Sequence, residues 1–287
     1  MSNFTAEPVE PVPLKTLYYR HRLPIRIVHW INVLCLTILF MSGLGIFNAH
    51  PSLAWGKSSY TTRPSLLQID AIPSPDGPRG VLRVAGHEFD TTGVLGVSTR
   101  ADGSADQRAF PSWLTVPGAY SLAGSRLWHF FFAWCLLFNG VAYIVYSIAS
   151  GHLRRDMLPS RADIAGFGAS VRDHLRFRHP TGDAARRYNV LQKLAYLIVI
   201  FVLLPLIILM GMAMSPTLDA VMTGWVDLFG GRQSARTIHF VIAWLLVLFV
   251  LIHVFEVIVS GLFNHLRSMV TGYYAIDATT TTKGPQP

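Results

Sequence analysis

Residues 236–259 read RTIHFVIAWLLVLFVLIHVFEVIV. From Phe240 to Ile252 this stretch carries no charge, and with its flanks it is long enough to cross a bilayer, which takes about 20 mainly apolar residues. Lipid offers no partners for backbone N–H and C=O groups, so the stretch must be a helix that satisfies them internally. Two histidines, His239 and His253, break its apolar character, 14 positions apart. On a helix that spacing is nearly four full turns, so the two imidazoles lie roughly 21 Å apart along the axis and within about 40° of one face. One metal ion cannot be held by both, whereas two stacked cofactors can take one each. Ionisable side chains inside a membrane are costly and are usually functional.

Working outward, three more apolar blocks occupy 25–47, 127–150 and 190–214, and the fourth extends over 238–263. The chain of 287 residues is 51% hydrophobic and only 14% charged, against about 25% charged in soluble domains. The expected fold is all-α: an integral membrane four-helix bundle with two cofactors in its core and a long outer loop between helices one and two. Pro205 lies midway along the third block and predicts a kink there. The net charge of +8 sits beside the apolar blocks, which reads as the positive-inside pattern and argues against nucleic acid. Cys35 and Cys135 stand alone within apolar blocks. With no CxxC or CxxCH, zinc, iron–sulfur and covalent haem attachment lack support. Residues 1–19 are polar and proline-rich, so no cleavable leader is expected.

Lys15, Arg20, Arg22 and Arg26 precede the first block. Arg154, Arg155, Arg161, Arg172, Arg176, Arg178, Arg186 and Arg187 fill the second connection. Both place their ends in the cytoplasm. The expected organisation is a cytoplasmic segment at 1–24, a membrane domain at 25–263 and a cytoplasmic tail at 264–287. Within the membrane domain lie an outer insert at 48–126 and a cytoplasmic loop at 151–188. The alternation at 81–89 suggests a strand or hairpin in the insert.

Of eleven histidines, four lie within the blocks: His29, His129, His239 and His253. Depth pairs His129 with His239 near the outer surface and His29 with His253 near the inner one, and each pair suits the two axial positions of a haem iron. Arg26, Arg126 and Arg236 each precede a block histidine by three residues, one turn nearer the surface, where a guanidinium suits a haem propionate. Trp30, Trp128, Trp134 and Trp244 read as bundle packing.

With RIVHW at 26–30, RLWHF at 126–130 and a histidine pair 14 apart in the last block, the chain resembles the bacterial di-haem cytochrome b561-type membrane subunits. These are the cytochrome b subunits of nickel–iron hydrogenase, formate dehydrogenase and thiosulfate reductase. The resemblance implies two haem b groups on the pairs given above, and a quinone site near the inner haem. There a Tyr188-Asn189-x-x-Gln192-Lys193 sequence matches the family's pattern, and Asn189 corresponds to a residue near the quinone carbonyl. It implies a peripheral redox partner, a molybdopterin oxidoreductase, and an electron-transfer subunit rather than a stand-alone enzyme. No catalytic residue is assigned. The 48–126 insert departs from these relatives and weakens assignment to any one of them. Glu256, three residues after His253, is a candidate for proton uptake at a reduced quinone. Two rival readings are a self-contained quinone oxidoreductase acting on a small oxidant such as superoxide, and a non-redox membrane anchor.

Overall fold

The computed structural model describes residues 15–58, 64–176, 189–222 and 224–277. Among the described residues four helices are long and apolar enough to cross a membrane. They are α1 (Leu23–Phe47), α2 (Leu122–Ala149), a third span over Val190–Ala213, and α8 (Arg232–Val259). The shortest has 24 residues, about 36 Å of helix against a hydrocarbon core of about 30 Å. Their outward faces are strongly apolar, with Leu127 73% and Leu251 62% exposed, as lipid contact requires. The chain is an integral membrane protein built as a helical bundle.

Spans two and four begin before their apolar blocks because their polar first turns are held by packing. Ser125 is buried against α1 so closely that a Cβ on Gly45 would meet its Oγ at 2.3 Å, the small-residue contact that lets membrane helices approach. Ser234 Oγ donates to the Gly230 carbonyl (3.1 Å) and accepts from the Gly56 N–H (2.8 Å). The block at 238–263 is cut at Val259, because Gly261 takes a left-handed conformation (φ +111°) that glycine adopts without strain. A separate helix, α9 (Leu262–Thr271), follows.

In the third span the irregularity comes ahead of Pro205. α5 (Val190–Ile198) passes into a π-helical turn at Val199–Leu203, then into α6 (Leu204–Ala213). Pro205 cannot donate to the carbonyl four residues back. The wider turn bonds Leu204 N–H to the Val199 carbonyl instead.

The 48–126 insert is a folded cap. Strands β2 (Ser52–Leu53), β3 (Leu67–Ile72), β4 (Arg79–Val84) and β5 (His87–Asp90) form an antiparallel sheet in that order. The alternation at 81–89 is the β4–β5 hairpin, which turns at Ala85 and Gly86. Strands β6 (Ser98–Thr99) and β7 (Ala105–Asp106) pair separately. Opposite charges in the cap pair across the strands. Arg83 bridges Asp70 (2.7 Å) and Glu88 (3.0 Å), and Arg79 meets Glu88 at 2.9 Å. Inside the cap Asp106 is 1% exposed. Burial opposes its charge, but Arg108 and Arg100 outweigh that and hold its pKa below the usual carboxylate value. The cap is seated on the bundle by a core of Leu44, Phe47, Leu53, Ile69, Ala109 and Phe110, with Phe240 packed against it.

The chain divides into two compact units. One comprises 27–147 and 197–252, which includes the cap; the other comprises 1–26, 148–196 and 253–287. In the second unit β1 (Lys15–Tyr19) pairs antiparallel with β8 (Tyr273–Asp277), strands the sequence reading did not anticipate. The second connection contributes α3 (Arg161–Ala165) and α4 (Phe167–Leu175). A short helix, α7 (Pro216–Val221), lies in the third connection. Tyr188, Arg178, Arg186 and Arg187, which entered the sequence reading, fall outside the described residues.

Candidate functional site

His129 on α2 and His239 on α8 face each other with ring centroids 6.2 Å apart and planes at 57°. A metal ion bonded to one nitrogen of each ring at about 2 Å holds two opposed imidazole centroids roughly 6 Å apart. The gap therefore fits one iron between them. The remaining nitrogens fix which atom faces that gap. His239 Nδ1 donates to the Ile207 carbonyl at 2.9 Å. His129 Nδ1 lies 3.1 Å from Ser42 Oγ. The Ser42 hydroxyl already donates to the Ile38 carbonyl at 2.6 Å, so its oxygen accepts from His129. With Nδ1–H engaged on both rings, Nε2 of each presents a lone pair, the arrangement an axial ligand needs.

Two glycines make room for it. A Cβ on Gly43 would lie 3.4 Å from His129 Cε1, and one on Gly211 would lie 3.5 Å from His239 Cε1. Gly211 is one turn beyond Ile207, and a helical side chain covers the turn before it. A bare α-carbon there leaves the Ile207 carbonyl open to the imidazole. Gly43 stands in the same relation to Leu39, whose carbonyl accepts from the Ser42 hydroxyl that His129 meets. This doubled glycine-and-carbonyl device is absent from the sequence reading, as is Ser42.

His29 lies on α1 with Trp30 edge-on at 5.3 Å. Beside it Asn139 of α2 donates to the Val28 carbonyl (3.0 Å) and to Asn32 Oδ1 (2.7 Å), tying α2 to α1 at that level. His253 sits on the same unbroken helix as His239, 14 positions on. Among the described residues no three His, Cys, Asp or Glu side chains come together. Cys35 and Cys135 are free thiols.

The three arginines are placed differently from one another. Arg236 donates to the His50 carbonyl and covers the Phe47 ring at 5.5 Å. Arg126 is exposed over Phe130 of its own helix at 5.6 Å. Arg26 donates to the Val270 carbonyl. Trp244 packs on Phe40, Phe240 and Phe110, the bundle-lining role read for it.

At the start of the third span Asn189 and Gln192 form a capping arrangement. Asn189 Oδ1 accepts from Leu191 N–H (3.2 Å), and Gln192 Oε1 accepts from Asn189 N–H (3.3 Å). Both amide oxygens thus serve the helix start. Lys193, 8% exposed, donates to Asp163 Oδ2 at 2.8 Å. The same oxygen caps α3 by accepting from Ser160 N–H (2.8 Å). The Lys193 ammonium, and then the Ser160 cap, hold the Asp163 pKa down to about 2. Because its folded pKa is depressed, this carboxylate's stabilising contribution is complete above its ordinary value near 4 and is lost as pH falls toward 2. Asp163→Ala is expected to cost about 2–3 kcal/mol, since it strands a buried ammonium. A thermal melt of the detergent-solubilised protein should show the loss from pH 5 to 8 and a shrinking difference below pH 4. Tyr196 lies one turn beyond Lys193, within electrostatic reach of Arg20 and Glu256.

The model of the prokaryotic cytochrome b561 family matches residues 20–272, a region that takes in all four spans, the cap and the four histidines. This chain belongs to the prokaryotic cytochrome b561 family. A relative from Azospira oryzae, described as a protein-methionine-sulfoxide reductase subunit YedZ1, is 25% identical over 240 residues, 84% of this chain and 90% of that one. As a b561-family protein the chain is a membrane electron-transfer protein that uses haem b. The imidazole pair with both Nδ1 atoms engaged, and the glycines at the ring edges, suit that group.

Proposed function

We propose that the chain is a di-haem b-type cytochrome subunit that carries electrons across the bacterial inner membrane between the quinone pool and a peripheral redox subunit. The observation that carries this reading is the facing pair His129 and His239, 6.2 Å apart with both Nδ1 atoms engaged. Haem, when bound, supplies a one-electron iron couple tuned by its axial ligands and surroundings. His129 and His239 would hold one such group, and His29 and His253 the other. Ser42 and the Ile207 carbonyl orient the first pair. The cap shields that end of the bundle from water. Arg236, with five donors of which one is engaged at His50, remains a partner for a propionate.

The basic residues of the N-terminal segment and of the 151–188 loop put both in the cytoplasm, which places the cap outside. The quinone site is assigned to the cytoplasmic end of the third span. There the buried Lys193 and the half-buried Tyr196, one turn apart, supply donors for a quinone carbonyl. Asn189 and Gln192 shape that helix start. Glu256 would serve proton exchange with water. The partner reading draws on the relative named as a reductase subunit, and its molybdopterin class on the resemblance of the sequence to formate dehydrogenase and thiosulfate reductase subunits.

The test is a liposome assay: a lipophilic quinol in the bilayer, the haem-loaded chain, and a membrane-impermeant acceptor on one side. Quinol-dependent reduction of the acceptor is expected. Haem that stays oxidised under quinol, in protein of normal haem content, contradicts the quinone assignment. A finer expectation concerns Ser42. Loss of an Nδ1–H···O bond makes an imidazole a weaker donor to ferric iron. Ser42→Ala should therefore raise the midpoint potential of one haem and leave the other unchanged, as read by optical redox titration.

A further inference from the structure

Helix α9 has a buried side and an exposed side, on which Arg267 donates to Asn264 Oδ1. On the buried side Ser268 is fully covered, Asn264 accepts from Ala275 N–H and donates to its carbonyl (2.9 Å each), and His265 meets the Tyr274 ring at 5.2 Å. On the other side lie Phe263 (85% exposed), Leu266 (40%) and Val270 (64%), with Arg267 among them. The positions i, i+3, i+4 and i+7 make a single stripe. Large apolar side chains set together on one exposed face mark a contact surface.

The placement of the helix identifies what covers that face. Two residues separate the end of α8 from the start of α9. Near its other end, the Val270 carbonyl takes the guanidinium of Arg26 from the opening turns of α1. Its roughly 15 Å length therefore runs from the end of α8 to the first turn of α1. The last turns of α8 show Phe255 (50%) and Ile258 (55%) to lipid, and this apolar surface continues through the Gly261 turn into Phe263. In the same compact unit the helices of the second connection expose Ile164 (64%) and Phe167 (42%) beside Arg161 and Arg172. Apolar side chains interleaved with arginine suit the boundary between acyl chains and anionic headgroups.

We propose that α9 is an interfacial helix that lies in the membrane plane, with Phe263, Leu266 and Val270 in the headgroup–acyl boundary of the bilayer and Arg267 among the phosphates. It fixes the depth of the bundle in the membrane and clamps the two terminal strands at the surface. The proposal does not depend on the haem assignment.

The experiment uses the full haem-loaded chain in nanodiscs of phosphatidylethanolamine and phosphatidylglycerol. These contain a trace of lipid with a photoactivatable diazirine, either near the glycerol or at the acyl terminus, and adducts are mapped by mass spectrometry. The shallow probe is expected to label Phe263, Leu266 and Val270 about as strongly as Ile258. The deep probe should label mid-span Leu251 and spare α9. No adduct on α9 from either probe would overturn the proposal, since the face would then lie in water or under a second copy or a protein partner. Labelling of α9 by the deep probe would also overturn it, because the helix would then sit within the hydrocarbon.

Discussion

His239→Ala is expected to halve the haem content of the purified protein, from two groups per chain to one. His239 holds its position through a bond to the Ile207 carbonyl, and no other described imidazole besides His129 stands opposite it. Its loss removes the one ring placed against His129 that would hold the same haem. His129→Ala should give the same spectrum, because the two side chains face one shared gap. The double variant should be no worse than either single one, the strong non-additivity expected of residues that act as a unit. Haem extraction followed by the pyridine haemochrome spectrum measures this. Independent, additive losses would mean that the two rings serve different groups.

His253→Ala is expected to have the opposite consequence for electron entry. One haem remains, on the His129–His239 pair, yet its reduction by added quinol should fall to background while reduction by dithionite stays intact. His253 stands nearly four turns from His239 on one unbroken helix, toward the end that carries Lys193 and the arginine-rich connection. In His239→Ala, by contrast, quinol should still reduce the remaining haem. Stopped-flow absorbance at the haem band, with quinol and then dithionite, separates the two variants. Equal quinol reduction in both would place the quinone site at the capped end instead.

Much of this was legible in the sequence because lipid imposes simple rules. Length and apolarity gave four spans, and the 14-residue spacing put His239 and His253 on one helix face. The ends of those spans were less legible. Whether a polar turn such as 232–237 continues a helix depends on partners like Gly56 and Gly230, remote in sequence or outside the span. The alternation at 81–89 disclosed one hairpin, but not the sheet around it. β2 has only two residues, and its partner strand does not begin until Leu67. The supports of the site were hidden for a similar reason. A serine such as Ser42 in a span ordinarily bonds its own helix, and Ser42 does so while also accepting from His129. Gly43 and Gly211 look like unremarkable small residues until the rings they admit are in place. At the third span Asn189 and Gln192 draw attention as amide donors, and their oxygens also cap the helix. The polar pair that matters there, Lys193 with Asp163, joins positions 30 apart.

The most direct test of the central claim is the haem stoichiometry of the wild-type chain, expressed with ample haem and followed by optical redox titration. Two b-type haems per chain, titrating as two one-electron steps with low-spin spectra typical of two imidazole ligands, is the result this account predicts. A single haem would contradict the paired-histidine arrangement, and a colourless protein would contradict the electron-transfer reading and leave a membrane anchor in its place.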